Sequence, residues 1–162
     1  MKHIDISRVT AAALALGLAA GGAWSTSAQQ APTTDIWLIP LDLEAGTLGE
    51  PRNATDRDGY DNEPFFAPEG SSLLYTSQHD GQTDIYRLDL ATMVSAQLTD
   101  TPESEYSATV VPSGFEFSVI RVEDDGTQRL WSFRRDGSSP QLVLENVAPV
   151  GYQAWNSDGQ LV

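Results

Sequence analysis

The chain of 162 residues carries 23 acidic and 9 basic side chains, a formal charge of -14, with 40% hydrophobic residues. That apolar share supports a folded core, while the charge argues against nucleic acid or anionic membrane as a partner, since both need lysine and arginine to neutralise phosphate. The absence of cysteine rules out disulfides, thiolate metal sites and cysteine catalysis, and two histidines leave no basis for a His-rich metal cage.

Lys2, His3 and Arg8, diluted by Asp5, form a positive N-terminal region, followed by the uncharged stretch Val9 to Ala20. Thr26, Ser27 and Ala28 supply the small residues of a cleavage site, so residues 1–28 read as a secretory signal peptide cut after Ala28. The apolar run ends at Ala23 and is shorter than the roughly 20 residues that span a bilayer. Residues 29–33 read as a short linker. The expected product is a periplasmic or secreted acidic protein with no transmembrane segment after cleavage.

From residue 34 onward, short strands alternate with turns. Trp37, Ile39, Leu41 and Leu43 alternate with period two, as do Tyr86, Leu88 and Leu90, and again Trp131 and Phe133. Innermost strands are expected at Glu63 to Ala67, Tyr106 to Val111 and Tyr152 to Trp155, and outermost strands near Ala96 to Thr99 and Gln141 to Leu144. Hairpin turns are expected at Asp80-Gly81, next to His79, and at Asp124-Asp125-Gly126, because the Asp-Gly pair supplies the positive φ that such turns require.

These elements recur in phase. Ala67-Pro68-Glu69-Gly70, Val111-Pro112-Ser113-Gly114 and Asn156-Ser157-Asp158-Gly159 place glycines 44 and 45 residues apart. Asp84-Ile85-Tyr86 recurs as Arg129-Leu130-Trp131 after 45 residues, and Asp35-Ile36-Trp37 precedes it by 49. Thr55-Asp56 recurs as Thr99-Asp100 after 44 residues. Four short strands per repeat of about this length are the signature of a β-propeller blade. The fold class is therefore all-β, with blades of four antiparallel strands. A partial blade at 34–61, blades at 62–105 and 106–150 and the start of a blade at 151–162 make about three blade equivalents, an incomplete propeller. Two explanations fit such an arc: the sequence is a piece of a longer protein, or a homodimer of three-blade arcs closes a ring.

The segment Phe66-Ala67-Pro68-Glu69-Gly70-Ser71-Ser72-Leu73-Leu74-Tyr75-Thr76-Ser77, with Asp84-Ile85-Tyr86 and Gln97-Leu98-Thr99 after it, resembles the PD40 or WD40-like repeat of TolB-like propellers. Where that family has Pro-Asp-Gly, this chain has Pro68-Glu69-Gly70, Pro112-Ser113-Gly114 and Ser157-Asp158-Gly159, which departs at single turns and keeps the period. The resemblance implies a non-enzymatic exported scaffold that binds a protein or peptide partner at the cell envelope. The separate N-terminal domain of TolB itself has no counterpart in these residues, so the likeness is one of fold. Related propellers also precede catalytic domains in prolyl-oligopeptidase-type peptidases and some amidohydrolases; no Gly-x-Ser-x-Gly elbow occurs here, so such an activity would reside in sequence beyond Val162. A carbohydrate or small-ligand binder is a third reading.

Few residues invite a chemical role. Ser77, His79 and Asp80 name a catalytic triad by type, but neighbours at a hairpin tip do not converge as triad members do. Asp56-Arg57-Asp58-Gly59-Tyr60-Asp61, with Glu63, falls short of a calcium loop, having Tyr60 at its fifth position and glycine at its fourth. Glu103 and Glu105 would point the same way on an extended segment, with no sign of the separation that glycosidases need. Trp37, Trp131 and Trp155 are expected to pack between blades, and Arg121, Arg129, Arg134 and Arg135 to pair with carboxylates. No catalytic residue, metal or cofactor is expected. Tyr60, Asp61, Asn62, Glu63, Glu105 and Tyr106 stand where innermost strands begin, at one mouth of the central channel, and are the candidate partner-binding residues.

Overall fold

The computed structural model describes residues 32–162, so the expected signal peptide at residues 1–28 lies outside the described residues. Twelve strands and no helix occur among the described residues. Strands β1 (Trp37–Leu38) and β4 (Arg52–Asn53) pair antiparallel, as do β2 (Leu41–Asp42) and β3 (Thr47–Leu48), giving one long irregular hairpin. Strands β5 (Asp61–Phe66), β6 (Ser72–His79), β7 (Gln82–Asp89) and β8 (Val94–Gln97) follow as a four-stranded antiparallel sheet in chain order. Strands β9 (Ser104–Val110), β10 (Glu116–Val122), β11 (Gln128–Arg134) and β12 (Gln141–Leu142) repeat the arrangement. Each sheet is a meander of the kind that forms one propeller blade.

The turns follow the chemistry of their residues. His79 pairs with Gln82, leaving a two-residue loop in which Asp80 (φ 51°) and Gly81 (φ 89°) both take the positive φ of a type I′ turn. The three phased turns close alike, with Gly70 donating to the Ala67 carbonyl at 2.8 Å, Gly114 to that of Val111 at 2.8 Å and Gly159 to that of Asn156 at 3.1 Å.

Strand limits differ from the sequence expectation in several places, β12 among them, which stops at Leu142 rather than Leu144. Strands β5 and β9 begin earlier, at Asp61 and Ser104, because Asp61 and Glu105 lie opposite Ser77 and Arg121 in the ladder and are buried there. Strand β8 starts at Val94 and ends at Gln97, because the Asp89 carboxylate caps the turn before it, accepting from the Ala91 and Thr92 amides. The expected strand Tyr152 to Trp155 is reduced to a bridge between Trp155 and Leu161, with Ala154 and Val162 exchanging backbone bonds.

Burial shows why β6 reads as an apolar run rather than an alternating one. One face, carrying Leu73 and Tyr75 with Leu88 of β7, packs on Ile36 of the first hairpin. The other, with Leu74 and Ile85, packs on Ala108, Val110, Phe117, Val119 and Phe133 of the second sheet. A strand covered on both faces loses the polar alternation of a half-exposed one. Trp37 does not pack between sheets as expected; it is 57% exposed, and β4 is the one strand among the described residues that lies against β1. Trp155 behaves as expected, its indole donating to Ser118 Oγ at 2.8 Å.

The two sheets come close together at Gly137, in the loop after β11, where a Cβ would overlap the Leu98 carbonyl oxygen after β8. Gly126 has the same φ of 81° with open space around it. Both glycine-to-alanine changes carry the left-handed penalty of about 1–2 kcal/mol. Gly137→Ala is expected to lower the thermal midpoint further, by forcing the backbones apart. Equal losses for the two variants, followed by circular dichroism, would refute that close approach.

Candidate recognition site at the innermost strands

Strands β5 and β9 each carry, at or next to their first residue, a buried acid held by an arginine and a hydroxyl. Asp61, 1% exposed, accepts from Arg57 Nη2 at 2.7 Å and Nε at 3.0 Å, and from Ser77 Oγ at 2.6 Å. Glu105, fully buried, accepts from Arg121 Nε at 3.0 Å and from Thr101 Oγ1. Arg121 lies 4.3 Å from the Trp131 ring centroid and also reaches Glu103 at 3.8 Å. The repeat phase of 44 residues equates Arg57 with Thr101 and Ser77 with Arg121. The arginine thus comes from the preceding loop in one sheet and from the second strand in the other, with the hydroxyl taking the opposite place.

Asp61 and Glu105 therefore face the interior and are not side chains of an open mouth. Burial pushes the Glu105 carboxyl up to about 7, against the opposing pull of Thr101 and Arg121, and its Oε2 has no hydrogen-bond partner. Burial also raises Asp84, whose carboxylate accepts from Gln97 Nε2 at 3.2 Å.

Glu63 and Ser107, equivalent by the same phase, both have φ 54° and mark the points where the β5–β6 and β9–β10 registers slip. A side chain held there costs about 1–3 kcal/mol and persists only when its surroundings hold it. They do so by binding each other. Glu63 Oε2 accepts from the Ser107 amide at 2.9 Å and from Thr76 Oγ1 at 2.8 Å, and Oε1 accepts from Ser107 Oγ at 2.9 Å. The Ser107 carbonyl in turn accepts from Gln153 Nε2 at 3.0 Å, so three successive inner segments are joined side to side.

Around this seam lie the remaining expected residues. Tyr60 is half-buried; desolvation raises its phenol above the ordinary value, Glu63 and Tyr106 push in the same direction, and Asn62 Nδ2 donates to its Oη at 3.2 Å. Tyr106, Ser107 and Glu63 border a cleft of about 250 Å³ with Gln128, Gly151 and Tyr152. Four of the six expected residues, Tyr60, Asn62, Glu63 and Tyr106, are thus grouped near one surface. Ser107, Gln128 and Tyr152 were not anticipated; the signal for Ser107 was its phase with Glu63.

Ser77 and His79 do meet, at 3.1 Å from Oγ to Nε2, because they are two apart on strand β6 rather than together at its tip. The Ser77 proton goes to Asp61 and its oxygen also accepts from Arg57 at 2.7 Å, so the imidazole Nε2–H donates and no base faces the hydroxyl. Asp80 sits in the turn, and the His79 ring stacks on Tyr86 at 5.0 Å. Among the described residues no group of three or more His, Asp or Glu side chains is placed to hold a metal ion. In the acidic loop before β5, Arg57 bonds the Asp58 carbonyl at 3.0 Å as well as Asp61.

No protein-family model matches the chain. Its fold is similar to that of TolB from Acinetobacter baumannii, with 22% identity and a TM-score of 0.62 over 78% of this chain and 30% of that one. TolB from Agrobacterium tumefaciens matches at 19% identity and a TM-score of 0.55, over 64% and 39% of the two chains. Oligogalacturonate lyase from Vibrio parahaemolyticus matches at 21% identity and a TM-score of 0.54, over 79% and 35%. The chain spans well under half the length of each of these proteins. The shared feature is the fold, a TolB-like β-propeller whose four-stranded sheets are blades. Because a lyase shares it, the fold alone does not choose between binding and catalysis.

Proposed function

We propose that this TolB-like propeller segment is an exported, non-enzymatic scaffold that recognises a protein or peptide partner at the cell envelope. One observation carries the reading: aromatic and polar side chains from three successive inner segments, Tyr60 with Asn62, Tyr106, and Tyr152, gather around the Glu63–Ser107–Gln153 seam. Tyrosines on a backbone cross-linked in this way lose little freedom on binding, which favours a recognition surface. The fold likeness to TolB supports the same reading. Of the two carboxylates weighed for glycosidase chemistry, Glu105 is buried against Arg121, which also reaches Glu103 at 3.8 Å.

The test is capture from envelope extract by the protein and by a Tyr106→Ala/Tyr152→Ala double variant. A specific captured protein should be lost with the double variant while far-UV circular dichroism is unchanged. Equal capture by both would remove the reading. The lyase likeness favours a second possibility, carbohydrate binding at the same surface, which would appear as saturable binding of oligogalacturonate to the unsubstituted protein.

A further inference from the structure

We infer that the cleft beside Glu63 receives a cationic side chain, the guanidinium or ammonium group of an arginine or lysine on the partner. The inference rests on the recognition reading above and gives that surface its chemistry.

Three observations converge. Among the described residues, Glu63 is the only charged side chain bordering the cleft. Its carboxylate takes three hydrogen bonds, all from neutral donors: Thr76 Oγ1, the Ser107 amide and Ser107 Oγ. A carboxylate offers about four acceptor positions, so one remains. Asp61 and Glu105, at the heads of β5 and β9, each have an arginine at 3.0 Å or closer, and Glu63 has no such ion pair among the described residues. Its negative charge is held in place by its neighbours without being neutralised by them.

The walls suit a cation. Tyr106 is half-buried, and Tyr152, 87% exposed, presents an uncovered phenol ring at the rim. Aromatic faces beside a carboxylate attract ammonium and guanidinium groups through the ring quadrupole. At about 250 Å³ the cleft is smaller than the usual sites for small-molecule ligands and fits one extended side chain. The field of the whole protein acts in the same direction. Residues 32–162 contain no lysine, and the formal charge is -14, so a basic segment is drawn toward this surface and an acidic one repelled.

The experiment titrates three capped pentapeptides into the protein and follows the amide signals of Tyr106, Ser107 and Gly151 by nuclear magnetic resonance. The central residue, flanked by glycines, is arginine, lysine or the neutral isostere citrulline. The arginine and lysine peptides should bind saturably and the citrulline peptide about tenfold more weakly or worse. Glu63→Gln should reduce the arginine peptide to the citrulline level, and Tyr152→Ala, a change at an exposed side chain, should weaken both cationic peptides. Equal binding of arginine and citrulline peptides by the unsubstituted protein, or no binding of either, overturns the inference without needing any variant to fold. If capture from extract still depends on Tyr106 and Tyr152 while the peptides show no charge preference, the cation assignment fails and the recognition reading stands.

Discussion

Glu105→Leu is expected to destabilise the protein by about 3–5 kcal/mol, and Arg121→Met by about 1.5–3 kcal/mol, although the two side chains form one ion pair. The asymmetry follows from what each partner can do when left alone. Without Arg121, the Glu105 carboxyl takes up a proton, which it already holds up to about pH 7. Without Glu105, the Arg121 guanidinium is left as a buried cation, 5% exposed, with only Glu103 at 3.8 Å among the described residues to balance it. Urea denaturation of both variants measures the order directly, and a costlier Arg121→Met would refute the argument. The same carboxyl sets a pH dependence. The unfolded chain releases the Glu105 proton near 4.5 and the folded chain near 7, so within that window the folded state binds more protons. Stability should therefore fall as pH rises through the window and level off above it. Glu105→Gln should flatten that slope.

Phe117→Ala is expected to cost about 3–5 kcal/mol. Phe117 and Phe133 lie opposite each other in the ladder, their rings stacked at 5.5 Å and each 1% exposed. They belong to the apolar cluster that joins the two blades through Leu74 and Ile85, so the cavity would open at the junction rather than inside one sheet. Phe115→Ala removes the same side chain from a site 78% exposed and should change stability by less than about 0.5 kcal/mol. Urea midpoints for the pair give the comparison; a loss below about 1 kcal/mol at Phe117 would mean that the junction closes without that ring.

What could be read from the residues alone was whatever depends on neighbours along the chain. Asp80-Gly81 specifies its hairpin because the turn needs positive φ at both positions, and that requirement is local. The phased turns ending at Gly70, Gly114 and Gly159 expose the repeat for the same reason, and the repeat in turn gives the blade. Alternation along Tyr86, Leu88 and Leu90 reports only that β7 is extended. The strand starts were misplaced where a distant partner decides them. Asp61 and Glu105 read as acids of an open channel mouth until Arg57 and Arg121 arrive, one from a loop and the other from a strand. Aligning the repeats by their phase would have revealed the pairing, since arginine and hydroxyl trade places between the two copies. The Glu63–Ser107 link was harder to see. It depends on two bulges coming into register across a blade boundary, and neither residue type favours a positive φ. Ser77 and His79 show the opposite error, a real contact whose chemistry is decided by Asp61, a residue that the local sequence does not bring near them.

The traded places of Arg57 and Arg121 limit how the two halves can be recombined. Equal length and matching turns make the blades look like interchangeable modules. A hybrid carrying the first loop with the second pair of strands would crowd two guanidiniums onto one carboxyl. The reciprocal hybrid would bury a carboxyl with hydroxyls for company and no cation at all. Crossing over between the copies therefore yields chains with either a surplus or a deficit of charge in the interior, and each unit is bound to its own neighbours despite the shared architecture.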